Sequence, residues 1–213
     1  MKVGVIYMLL TVSVERTINS KWFIEGMKMT ATKTRLWTVE EYHRMIDAGI
    51  LTTEDKVELL EGRIVQMSPQ RPPHAGTTQR TDGYLQNLLR GRAQIRVQLP
   101  ITLSTSEPEP DIAVVRISPD AYGNHHPGPN EIFLLIEVAY TTLDSDRSEK
   151  APIYARANIP DYWILDVSNR LVYIFRNPSA SGYEFETILN QDATLAPLAF
   201  PDIEIPFSEL FLP

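Results

Sequence analysis

Residues 112–115 (Ile-Ala-Val-Val) and 132–136 (Ile-Phe-Leu-Leu-Ile) are apolar without a break. Each run carries an acid at one end, Asp111 before the first and Glu137 after the second. Unbroken apolar runs of this length belong to strands covered on both faces, so these two are predicted at the centre of a sheet. Residues 94–98 (Gln-Ile-Arg-Val-Gln) instead alternate, the period-two pattern of a half-buried strand. Further strands are expected at 162–166 and 171–176, on either side of a turn at Ser168-Asn169, with an edge strand near 183–189. Residues 118–130, rich in Pro, Gly, Asn and His, read as a long loop.

Helical spacing appears elsewhere. Thr38-Val-Glu-Glu41 has the form of a capping box, and Tyr42, Met45 and Ile46 follow at helical spacing before Gly49. Residues 57–60 and 63–67 flank Glu61-Gly62 as a tight hairpin. Pro72-Pro73 opens a second helix with Leu85, Leu88 and Leu89 as its apolar stripe. A third helix is predicted over about 144–158, stopping before Pro160. The order predicts an α/β domain of α+β-like character, a mixed sheet with flanking helices and an N-terminal helix-hairpin.

The chain has 213 residues, 43% of them hydrophobic, enough for one such domain. Residues 29–213 are assigned to it and residues 1–28 to an N-terminal extension, upstream or poorly ordered. The apolar run at 3–14 is too short to span a bilayer. Only Lys2 precedes it and no small-x-small site follows, which disfavours a signal peptide, and Met27 and Met29 offer alternative starts. Cysteine is absent, which excludes disulfides, thiolate metal sites and a cysteine nucleophile, and points to a reducing cytoplasm. The net charge of −7 excludes a general basic footprint for nucleic acid. It leaves room for an enzyme that meets phosphates through a local patch and a metal.

The chemistry concentrates between Asp111 and Lys150. Carboxylates are costly to bury unless paired, hydrogen-bonded or metal-bound. Two of them at the ends of buried strands, with a lysine one helix further on, can hold a divalent ion and polarise a phosphodiester. Singly, each has a plainer reading: Asp111 as a water-facing strand start, Glu137 as an arginine partner, Lys150 as a solvated helix residue. His74, at the start of the second helix, either faces the site or serves as a polar helix-start group. Gln98 is a weaker candidate, Glu61 a turn residue, and His125 and His126 exposed loop residues. Tyr162 and Trp163 read as core aromatics.

An ordered set of motifs runs through the chain: Glu58-Leu-Leu-Glu-Gly62, Met67-Ser-Pro69 with His74, Glu109-Pro-Asp111, Ile136-Glu-Val138, Asp146-Arg-Ser-Glu-Lys150, and the stretch from Tyr154 to Trp163. Together, over residues 29–213, they resemble the Uma family of putative restriction endonucleases, within the PD-(D/E)XK nuclease superfamily. The resemblance implies a restriction-endonuclease-like core, Mg²⁺-dependent hydrolysis of DNA phosphodiesters (Mn²⁺ as an alternative ion), and a homodimer. It makes Asp111 and Glu137 the motif's two metal-binding acids. The motif's lysine should lie two residues after the second acid, where this chain has Ala139. The resemblance assigns that charge to Lys150 and adds Glu58 as a further acid near the metal. Two other readings stay open: a non-catalytic nuclease-fold protein that binds DNA or a protein partner, and a cytoplasmic α/β protein with no nucleic-acid role.

Overall fold

The computed structural model describes residues 34–213, so the expectation for residues 1–28 lies outside the described residues. Helix α1 (Val39–Asp47) begins at Thr38 with both halves of the capping box made. The hairpin β1 (Val57–Leu60) and β2 (Arg63–Gln66) turns through Glu61 and Gly62, both at positive φ. At Gly62 an added Cβ would stand 2.8 Å from both Leu36 Cβ and Trp37 O, so glycine is required there on two counts. Helix α2 (Pro72–Leu88) follows.

Six strands form the main sheet: β3 (Gln94–Val97), β4 (Ile112–Val115), β5 (Ile132–Ala139), β6 (Asp161–Asp166), β7 (Leu171–Ser179) and β8 (Gly182–Leu189), in that spatial order. Only β5 and β6 pair in parallel, so the sheet is mixed, as the element order predicts. The two unbroken apolar runs lie side by side within it, with every residue of β4 buried.

Alternation sends the sheet's side chains to two cores. Ile136 and Val138 join Leu85 and Leu89 of α2 and the C-terminal Phe207 and Phe211 on one face. Leu135 and Ala139 join Ala151 and Tyr154 on the other, together with Leu60 of the hairpin. Glu137 lies between Leu135 and Ala139 in this alternation and shares their face.

The predicted third helix is interrupted. It runs as α3 (Leu143–Ser145), a π-helical turn over Asp146–Lys150, and α4 (Ala151–Arg156). Pro152 has no N–H to donate back along the helix, and the Ala151 N–H reaches Asp146 O instead, one residue further than an α-helix allows. After β8 the chain adds a short pair, β9 (Thr194–Leu195) and β10 (Ile205–Pro206), and α5 (Phe207–Leu210).

This C-terminal segment is tied to the sheet through Asp161, which is fully buried. Its carboxylate accepts from Arg176 Nε at 2.9 Å, Trp163 Nε1 at 2.9 Å and the Leu198 N–H at 2.8 Å. Asp161→Ala would strand all three donors. Breaking a buried pair from one side costs about 3–5 kcal/mol, and urea unfolding should show a loss of that size. Unchanged stability would mean the anchor is dispensable.

Candidate active site

The register of the two central strands sets the site. Ile112 pairs with Ile136 across the antiparallel β4–β5 ladder, so one step further Asp111 comes opposite Glu137, on the same face. Asp111 is buried, not a water-facing strand start. Its Oδ2 accepts from the Val138 N–H at 2.8 Å and from His74 Nε2 at 3.0 Å, and its Oδ1 accepts from Gln98 Nε2 at 3.2 Å. His74 thus faces the cluster from the third residue of α2. Gln98 reaches it from just beyond β3, where its backbone turns to φ 51.

Glu137 is also buried, and its partner is not an arginine. Lys150 Nζ donates to its Oε1 at 3.0 Å, and Tyr154 Oη donates to the same oxygen at 2.9 Å. Neither contact engages Oε2. Lys150 is not a solvated helix residue: its side chain is 13% exposed, and its ammonium stands 3.5 Å from Glu58 Oε1 as well. Glu58 is 5% exposed, turned inward from the hairpin, and its Oε2 accepts the Glu109 N–H at 3.1 Å. The structure therefore brings Asp111, Glu137, Lys150, Glu58 and His74 to the wall of one cleft of about 750 Å³.

At the position two residues after Glu137 stands Ala139, and the ammonium beside Glu137 comes instead from Lys150. Ala139 is buried on the Glu137 face in the same cluster as Ala151 and Tyr154. A methyl group there lets the segment carrying Lys150 pack directly on the strand.

The cluster holds two further residues, Asp146 and Tyr154, to which the sequence assigns no role of their own. Asp146 is buried and accepts from Thr142 Oγ1 at 2.7 Å, and Tyr154 is fully buried beneath Glu137. The spacing Asp146, Lys150, Tyr154 is four and four, which is the signal that groups them on one helical face. Glu61 is an exposed turn residue paired with Arg156. His125 is exposed, whereas His126 is half-buried with its Nδ1 enclosed and unpartnered, a departure from the exposed pair expected. Tyr162 and Trp163 are core aromatics with no exposure at all.

In this cluster carboxylates outnumber the single ammonium of Lys150, and their proton affinities show it. Burial pushes Glu137 up to about 8; Lys150 opposes this, and Asp146, Asp111 and Glu58 reinforce it. Burial likewise raises Asp146 to about 6. At Lys150 burial pulls downward, but Glu137, Glu58 and Asp146 together outweigh it and hold the amine well above the ordinary lysine range. The lysine's charge is the firmer of the two, because three carboxylates share it.

A pH dependence follows from Glu137. Between its ordinary 4.5 and about 8, the folded chain holds a proton that the unfolded chain releases. Its contribution to stability is full below 4.5 and is lost as the pH rises through 8. The melting temperature of wild type minus that of Glu137→Gln should therefore fall between pH 5 and 8.5. A difference flat across that range would place the Glu137 proton elsewhere.

The donor set suits a hard divalent cation. Among the described residues no three His, Asp or Glu side chains form a ready-made ligand set. Mg²⁺, however, takes one or two carboxylates and completes its shell with water and substrate phosphate. Asp111 and Glu137 supply two, and the surplus of negative charge around them is what a cation would relieve. The residues present fit the ion.

No curated protein matches the chain. A solved structure described as a "putative nuclease belonging to DUF820 from Anabaena variabilis ATCC 29413" superposes with a TM-score of 0.62, at 17% identity, over 82% of this chain and 97% of that one. The shared fold is therefore that of a protein described as a nuclease. Residues 39–208, most of the chain, match the model of the family Uma2, described as "Putative restriction endonuclease", and the chain belongs to that family.

Proposed function

We propose that this chain is a divalent-metal-dependent endonuclease that hydrolyses DNA phosphodiesters in the cleft. The observation that carries the reading is the meeting of Asp111 and Glu137 on adjacent central strands, with the Lys150 ammonium 3.0 Å from Glu137. Asp111 and Glu137 would hold the ion, Mg²⁺ or Mn²⁺. When bound, the ion lowers the pKa of water and offsets charge on the phosphate.

The chain's own residues do the rest. His74, Gln98 and the Val138 N–H fix the Asp111 carboxylate from three sides. Tyr154 and Lys150 draw Glu137 Oε1 inward, so that Oε2 is the oxygen left for the cleft. Lys150 also brings a fixed positive charge, which offsets the negative charge that develops as the phosphate reacts. Glu58 Oε1, 3.5 Å from the ammonium, also steadies it. A buried carboxylate–ammonium cluster in a cleft is costly to stability and is what such chemistry requires.

The direct test is nicking of supercoiled plasmid in Mg²⁺ or Mn²⁺ with a chelator control. Nicking in metal alone supports the reading; no nicking in either ion removes it.

The family and the need to cut two strands favour a symmetric homodimer, which supplies two sites to one duplex. A light-scattering mass of one chain at micromolar concentration, with and without DNA, would remove that part. Among the described residues no helix is long and apolar enough to cross a membrane. The absence of cysteine makes the cytoplasm the proposed compartment.

A further inference from the structure

The cleft that would admit a polyanion is itself acidic. Glu109 and Glu149 line it together with the carboxylates of the site, and Lys150 is spent between Glu137 and Glu58. Beyond the reach of the ion, a phosphate backbone crossing such a floor is favoured by positive charge at the rim.

Several arginines elsewhere in the described residues are held in ion pairs. Arg80, Arg92, Arg147 and Arg176 pair with Glu209, Asp202, Glu186 and Asp161. Lys56 and Arg71 differ. Both are exposed and both line the cleft, and among the described residues neither has an ion-pair partner. Their backbones are held. Lys56 O accepts the Met67 N–H at 2.8 Å, closing the open end of the hairpin two residues before Glu58. Arg71 is the N-cap of α2, three residues before His74. Each cation is thus fixed at the root to an element that carries a site residue, while its long side chain stays unpaired.

We infer that Lys56 and Arg71 clamp the backbone of a DNA duplex through phosphates that flank the one being cut. This rests on the nuclease reading and names its substrate contacts. Unpaired cations rooted on fixed elements position a duplex without reading its sequence. Lys56 offers a point charge, and Arg71 a planar fork that matches two phosphate oxygens.

The experiment measures binding of a labelled mixed-sequence duplex across a salt series, in a cleavage-deficient Asp111→Asn background. Each neutralised phosphate contributes about 0.9 to the slope of log affinity against log salt. Lys56→Gln and Arg71→Gln should each remove about that much, and the pair about 1.8, with thermal unfolding unchanged. Arg71→Lys should restore most of its share of the slope. In the otherwise wild-type chain, KM for plasmid should rise by more than kcat falls. If the double variant keeps the wild-type slope and affinity while the wild type nicks plasmid, the clamp is wrong and the nuclease reading stands. If the wild type neither binds duplex nor nicks it, both are wrong. Preference for single strands over duplex, with the slope still dependent on Lys56 and Arg71, would overturn the substrate named here.

Discussion

Changing Asp111 to asparagine is expected to slow plasmid nicking by about 10³-fold or more while leaving the fold in place, the upper end of the range for one charge-stabilising group. The substitution keeps the shape of the side chain and removes its charge. One amide oxygen can still accept from the Val138 N–H and His74 Nε2, and Gln98 can present its carbonyl to the new NH₂ by rotating its own amide. The network survives, but one of the two carboxylates proposed to hold the ion becomes neutral. Two readouts separate site from scaffold. The melting temperature without metal should stay near wild type, whereas the rise that Mn²⁺ gives the wild type by mass action should shrink or vanish. Asp111→Asn nicking at the wild-type rate would show that the Asp111–Glu137 pair is not the metal site.

Much of this site could be read from the sequence because burial of both strand faces leaves a strong local mark. Residues 112–115 and 132–136 have no polar alternation, and both prove central and adjacent. The capping box at Thr38 and the Glu61-Gly62 turn are likewise local, decided within four residues. What local pattern does not show was decided at longer range. From its own neighbours Glu58 reads as a hairpin residue; the family resemblance, not its local pattern, places it at the site, where it meets Lys150 ninety residues on. Asp146 looks like one more acid in a charged helix until Thr142 and the π-turn place it inside. The π-turn had a visible cause in Pro152, which stands in the interior of the helix expected over 144–158, where a proline interrupts the hydrogen-bond ladder. The segment after residue 190 alternates weakly, and its place is set by the buried Asp161, which the sequence shows only as an acid before an apolar strand.

Lys150 carries the other large effect. Removing its amine by Lys150→Ala should lower the cleavage rate at saturating metal by roughly 10²-fold, the scale of losing one charge-stabilising group. Metal affinity should hold or rise, because a positive charge is removed from beside the proposed cation site. The variant leaves Glu58, Glu137 and Asp146 facing one another, and removing one partner of a buried pair costs about 3–5 kcal/mol when nothing relaxes. Here Glu137 already holds its proton up to about 8, so the carboxyl can stay neutral and absorb part of that loss. Saturating Mn²⁺ should recover most of the lost stability by binding only the folded chain. It should not recover the rate, since the ammonium's charge at the phosphate is gone. Lys150→Arg should rescue poorly: the slot between Glu137 and Glu58 sits against Tyr154 and fits a compact ammonium, whereas a guanidinium is planar and wider. Single-turnover cleavage at saturating metal decides the matter. If Lys150→Ala turns over as fast as wild type there, the lysine stabilises the fold, and the chemistry must draw its positive charge from another group.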